Sequence, residues 1–228
     1  MIVTVQIAEV ALKEGVGILR RRPPVGEIPG LRYAETVFAA PLGGGALPRP
    51  DPRTVATIAA WDEDERFDAY LASDSRAAAF RDGWQVRMRP LRVFGAWPGL
   101  PGLPEKELPV ADEEPVVVLT LGRLMPWRLV PFLRAAHPAE EEVLAEPGLL
   151  ASTGFGRPPR LVSTFSVWRS AAEMRDYAYR REGSHRAAVA RDRVHAFHRH
   201  SAFIRFRPYA SAGSWQGRDP LAGFLSAY

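Results

Sequence analysis

TVATIAAW at residues 54–61 and LVSTFSVW at residues 161–168 read as one strand written twice. Val55, Thr57 and Trp61 of the first recur as Val162, Thr164 and Trp168 of the second, 107 positions on. Both stretches alternate, and both are rich in β-branched and aromatic residues, which suit a pleated, half-buried surface. A repeat of this length marks a duplicated unit.

The residues that follow repeat as well. DEDERFDAYLAS (62–73) and RSAAEMRDYAYR (169–180) have helical period, with Phe67, Tyr70 and Leu71 on one face of the first and Met174, Tyr177 and Ala178 on one face of the second. Ser170 is placed to cap the second helix, with Glu173 three residues on completing a capping box. A closing strand comes next, in WQVRMRPLRVFGAW (84–97) and SAFIRFRPYASAGSW (201–215), where RMRP at 87–90 answers RFRP at 205–208. The offset has grown to 118, so the second unit carries extra residues between its helix and its last strand. GSHRAAVARDRVH (183–195) lies in that insert and predicts a helix of about three turns. It is the main asymmetry between the halves.

The front of each unit agrees. MIVTVQI (1–7) predicts a strand, residues 7–23 a helix stopped by Pro23 and Pro24, and LRYAETVFAA (31–40) a strand. PVVVLTLGRL (115–124), WRLVPFLRAAH (127–137) and LLASTGFG (149–156) repeat that order, with Pro131 expected to kink the helix or mark a late start. Each half is therefore β-α-β-β-α-β, a ferredoxin-like unit with one sheet face under helices and one bare. A bare apolar face must be buried, so the two halves are expected to pack sheet to sheet. The fold class expected is α+β: tandem ferredoxin-like units forming an intramolecular α+β barrel. The halves span 1–98 and 116–210, joined by a Pro/Gly-rich linker at 99–115 and followed by an extension at 211–228. GGGALPRPDP (43–52) reads as a loop within the first half.

Composition narrows the chemistry. The 228 residues are 46% hydrophobic and 25% charged, ordinary for a globular chain. The absence of cysteine removes disulfides, thiolate metal sites and cysteine nucleophiles. No stretch resembles a signal peptide or a spanning helix, so a cytoplasmic location is expected. The net charge is +4, and every basic residue except Lys13 and Lys106 is arginine. These arginines are spread along the chain among 26 acids, which speaks against a nucleic-acid surface. A basic surface also suits an anionic membrane face or an acidic electron-donor protein. Dinucleotide, P-loop and serine-hydrolase motifs are lacking, and EEE at 140–142 reads as a helix surface.

Taken in order, several residues carry a family resemblance: the strand end at Trp61, then Pro90, Val93, Gly95 and Trp97. In the second half they are Thr120, Pro126, Arg128, Phe132, Pro147, Gly154-x-Gly156, TFSVW (164–168), Gly183-x-His185 and the RF pair at 205–206. In these the chain resembles the spheroidene monooxygenase family, carotenoid ketolases of purple bacteria. The resemblance implies a dimeric α+β barrel fold, a haem cofactor and oxygenation of an apolar polyene. The chain departs from the family at Ser152, where a lysine is expected, at His137, where a proline is expected, and in its extension. Those differences bear on the substrate more than on the fold.

The resemblance gives the titratable residues their candidate roles. Without cysteine, a haem iron takes His, Met or Tyr from the protein. His185 is the candidate iron ligand, with Gly183 before it allowing close approach of a flat cofactor; the alternative is a histidine capping a helix start. Arg128 and Arg205 are candidates to pair a propionate or to support the distal oxygen chemistry, or else to form ion pairs between elements. Gly154, Phe155 and Gly156 are candidates to border the cofactor, since glycines in a strand mark a bulge or a close backbone approach. Trp61 and Trp168 read as packing residues. His198 and His200 are expected to share a strand face, near His195, but no carboxylate stands beside them to complete a metal site. The leading expectation is a haem-dependent monooxygenase of an apolar small molecule, supplied with electrons by a separate protein. A cofactor-independent oxygenase with His185 as base, or a non-catalytic haem or small-ligand binder, remains open.

Overall fold

The computed structural model describes residues 1–45, 50–100, 102–157, 161–180 and 198–225. The first half runs β1 (Ile2–Glu9), α1 (Leu12–Arg20), β2 (Leu31–Ala40), β3 (Asp51–Trp61), α2 (Asp64–Ser73) and β4 (Trp84–Gly95). The second runs β5 (Val116–Leu124), α3 (Leu129–Leu144), β6 (Leu149–Arg157), β7 (Leu161–Trp168), α4 (Ala171–Tyr179) and β8 (His198–Ala212). β3 thus begins inside the stretch expected to be loop. α3 runs past its expected end. Pro131 sits in its first turn, where the amide has no intrahelical acceptor, and the helix continues through Pro138.

The two halves do not stack one sheet on another. Their strands join edge to edge in a closed antiparallel barrel of order β1-β3-β2-β6-β7-β5-β8-β4. Within that circuit each half keeps the ferredoxin-like order. Closure gives every strand a neighbour on both sides over at least part of its length, a better solution than two stacked sheets with four free edges. One seam, β4 with β8, is paired along nearly the whole of β4. The other is short: only Phe38–Ala40 of β2 meets Gly154–Gly156 of β6. Beyond it Arg157 donates across the gap to Glu35 at 2.5 Å, and Arg22 lies 3.6 Å from the same carboxylate.

Strand alternation sorts the side chains. Val3, Val5, Ile7, Val37, Ile58, Val86, Leu119, Phe165, Ile204 and Phe206 point inward and fill the barrel. The opposite residues point outward beneath the helices. There Trp61 meets Phe67 and Tyr70 of α2 at 5.5 and 5.1 Å between ring centres, and its counterpart Trp168 meets Tyr177 of α4 at 5.3 Å. The repeated tryptophans therefore anchor equivalent helices. Ser170 caps α4 as expected, accepting from the Glu173 amide at 3.2 Å.

The barrel mouths are closed by the segments after each last strand. Gly95 and Gly213 occupy equivalent positions and share left-handed backbone, φ +82° and +84°, a conformation that costs glycine little. Each turns the chain back across its own mouth. The linker thereby delivers Trp97 and Leu100 to one end, and the extension delivers Trp215 and Leu221 to the other. Trp97 Nε1 donates to Tyr33 Oη at 2.9 Å, and burial beside Glu35 pushes the Tyr33 hydroxyl up to about 12. Trp215 packs on Trp84 and Phe165, at 5.7 and 6.2 Å. No helix among the described residues is long and apolar enough to cross a membrane.

Candidate functional site

The halves differ most in the layer between sheet and first helix. In the first half α1 lies against the sheet: it buries Gly15 and Leu19, and a side chain at Gly15 would collide with the Pro52 carbonyl. Its counterpart α3 buries none of its residues, although Leu129, Phe132, Leu133, Ala136 and Val143 line one of its faces and are half-covered. An apolar helix face left half-covered means that the layer beneath it is open.

The floor of that layer is made of small residues. Gly154, Thr164 and Thr120 form one row across β6, β7 and β5, with Gly156, Val162 and Gly122 in the next and Ser152 and Ser166 on the other side. Thr164 is exposed, whereas its repeat partner Thr57 is 2% exposed. Two glycines of the floor have steric reasons. A Cβ on Gly154 would come within 2.7 Å of the Ala40 carbonyl, and one on Gly122 within 2.6 Å of the His198 ring. The His198 ring thus packs close against Gly122 and meets Phe132 of α3 edge-on, at 4.9 Å between ring centres.

Polar groups border this space. Arg128 Nε at the start of α3, His137 Nδ1 on its half-covered face and Ser152 Oγ on the floor are each buried with no hydrogen-bond partner among the described residues. Glu140 is also half-covered, and burial raises its carboxyl above the usual range. Unpaired buried polar atoms are costly and mark a surface built to meet something else. The arrangement suits a flat, largely apolar group with a polar edge: small residues beneath, Leu and Phe above, donors at the rim. A concavity of about 660 Å³ lies elsewhere, outside the mouth closed by Trp215, and is lined by Glu9, Glu14, Arg53 and Asp82 among others. It is a charged surface groove without comparable features.

The candidate residues divide accordingly. Gly154 and Gly156 lie on the floor and Arg128 at its rim. Phe155 does not join them: alternation turns it into the barrel, 2% exposed and 5.8 Å from Phe165 between ring centres. Arg205 is also elsewhere. It is 1% exposed on the outer face of β8, where it pairs with Glu107 of the linker, a carboxylate shared with Arg92. His185, with the predicted helix at 183–195 and His195, lies outside the described residues. His198 and His200 do not share a face. His200 pairs with Arg123 and His198 with Leu124, so the residue between them is bulged out and the alternation inverts. Among the described residues no group of three or more His, Asp or Glu could hold a metal ion. Sequence reading passed over Gly122 and the unequal fit of α1 and α3; a helix rich in apolar residues gives no sign that it stands off its sheet.

No family model matches the chain. Individual proteins do. It is 29% identical to the spheroidene monooxygenase of Rhodobacter capsulatus over 211 residues, 90% of this chain and 86% of that one. It is also 29% identical to that of Rubrivivax gelatinosus, over 96% of this chain and 85% of the relative. Along most of its length the chain is similar to spheroidene monooxygenases. This similarity supports an oxidoreductase of the monooxygenase class. Among solved structures, an aldoxime dehydratase in complex with butyraldoxime aligns with TM-score 0.57 and 10% identity, over 97% of this chain and 85% of its own. A second aldoxime dehydratase aligns at 0.55, over 100% and 88%. At this identity the likeness concerns the fold.

Proposed function

We propose that this monooxygenase oxidises an apolar small molecule, a carotenoid or another secondary metabolite, in the open layer of its second half, with haem as its cofactor. The observation that carries the reading is the unequal treatment of one repeated row: Thr57 is sealed beneath α1, while Thr164 stands open beneath α3. A duplicated fold that opens one copy of a layer has made room for a ligand there. Ser152, Thr164 and Gly156 offer a floor of small side chains that is not fully covered, and the half-covered Leu129, Phe132 and Leu133 fit an apolar group.

Arg128 would pair with a carboxylate on the rim of such a group, since a guanidinium binds a carboxylate better than any neutral donor does. Ser152 would offer a hydroxyl from the floor. His185 is the iron ligand that the family resemblance implies. Haem, when bound, supplies oxygen activation, with electrons from a separate donor protein, whose approach the net positive charge would favour. The protein's own part is to exclude water from the apolar substrate and hold it against the floor.

The test is the absorbance spectrum of the protein produced with haem precursor, beside His185→Ala. A Soret band that the substitution abolishes or shifts supports haem and its ligand together. A band left unchanged keeps haem and moves the ligand, with His137 and His198 next in line. A folded protein with no band overturns the haem reading and leaves a cofactor-independent oxygenase.

A further inference from the structure

The sealed half contains a row of polar groups that oxygenation in the other half does not use. Gln6, Thr57 and Thr36 stand side by side across β1, β3 and β2 on the outward face of the sheet. They are 1%, 2% and 1% exposed. Gln6 Nε2, Thr57 Oγ1 and Thr36 Oγ1 have no hydrogen-bond partner among the described residues. The face is not short of partners in general: Thr4, on the same strand and face as Gln6, accepts from Trp61 Nε1 at 3.1 Å. The large majority of buried polar side chains in folded proteins are hydrogen-bonded, and here three on neighbouring strands stand unpaired side by side.

We infer that this row holds a small neutral hydroxylic guest, water being the smallest of the class, between the first-half sheet and the helices that cover it. The chemistry selects the guest. The Gln6 amide nitrogen only donates, so the guest must offer an acceptor oxygen; the two threonine hydroxyls both donate and accept, so it may also carry a proton to give. A buried water makes about three hydrogen bonds, which is what the row provides. The row itself holds no charged side chain, which disfavours an ion. The repeat explains its origin. In the counterpart row, Thr120, Thr164 and Gly154, solvent reaches the central residue, Thr164, directly. Sealing the layer beneath α1 keeps the polar row but cuts it off from bulk solvent.

The experiment is NMR of the intact protein with labelled Gln and Thr side chains, read for water cross-peaks, together with native mass spectrometry. The expected result is a cross-peak from the Gln6 side-chain amide to a long-lived water. It should vanish in the Thr36→Val, Thr57→Val double variant and persist in Thr57→Ser, which keeps the hydroxyl. An organic hydroxylic adduct in the native mass spectrum, absent from the double variant, also supports the inference and identifies a larger guest. Wild-type protein showing neither cross-peak nor adduct overturns it. So does a double variant that melts at a higher temperature than wild type, because a dry row gains from losing its hydroxyls. If the double variant does not fold, the wild-type and Thr57→Ser spectra decide.

Discussion

Thr57 and Thr164 are the same position of a repeated unit, so one substitution made at both separates the sealed layer from the open one. Phenylalanine has four more side-chain heavy atoms than threonine. At Thr57 these must enter a row whose members are at most 2% exposed, beneath a helix whose backbone already touches β3 at Gly15. Overpacking a buried layer costs about 1–3 kcal/mol for a few methylenes, and four atoms under a close-fitting helix exceed the room a water-sized guest would take, which places Thr57→Phe at the top of that range, about 3 kcal/mol. At Thr164 the same ring enters open space, and an exposed substitution usually stays within about 0.5 kcal/mol. The predicted difference of about 2.5 kcal/mol is a large share of the roughly 5–15 kcal/mol that stabilises a domain. Urea denaturation followed by far-ultraviolet circular dichroism reads it directly. Function should respond the other way round. Thr164→Phe fills the floor and should weaken haem or apolar-ligand binding at least tenfold, whereas Thr57→Phe, measured on its folded fraction, should leave binding within about twofold. Equal stability losses at the two sites would refute the claim that α3 stands off its sheet. Undiminished binding in Thr164→Phe would remove the ligand from that layer.

Two further outcomes follow from the packing. Trp215→Ala should cost about 3–5 kcal/mol, the usual loss for a buried aromatic, because Trp215 is 6% exposed and packs on Trp84 and Phe165; a change below about 1 kcal/mol in chemical denaturation would show that the extension does not close the mouth. Burial raises the Glu140 carboxyl, so the folded state holds this proton more tightly than the unfolded chain and the side chain's contribution improves as pH falls. Glu140→Gln should therefore melt above wild type at pH 7.5, with the gap closing by pH 4; a gap that widens on acidification would contradict the assignment.

The strands, their order in each half and the anchoring role of Trp61 and Trp168 were legible because each rests on a period. Alternation identifies a strand, the helical period identifies its cover, and a repeat of both identifies a duplicated unit. The capping of α4 was legible for a similar reason, since Ser170 and Glu173 act within a single turn. The candidate site was legible only in part. Gly154 and Gly156 could be singled out because glycines in a strand are unusual. Phe155 was grouped with them by adjacency, although alternation sends it to the opposite face. The relation of His198 to His200 turned on one bulged residue, which no local pattern announces.

What the chain by itself determined is therefore the unit and its duplication, since both arise from interactions among neighbours in sequence. Tertiary structure alone decided how the units join, which mouth each tryptophan closes and which copy of the layer stays open. Edge pairing between β2 and β6, the crossing of a mouth by Trp97 or Trp215, and the fit of α1 but not α3 all depend on distances between residues remote in sequence. The open layer is the plainest case. α1 and α3 both present an apolar face; Gly15 of α1 packs against Pro52 in one half, whereas in the other the imidazole of His198 stands between Gly122 and Phe132 of α3.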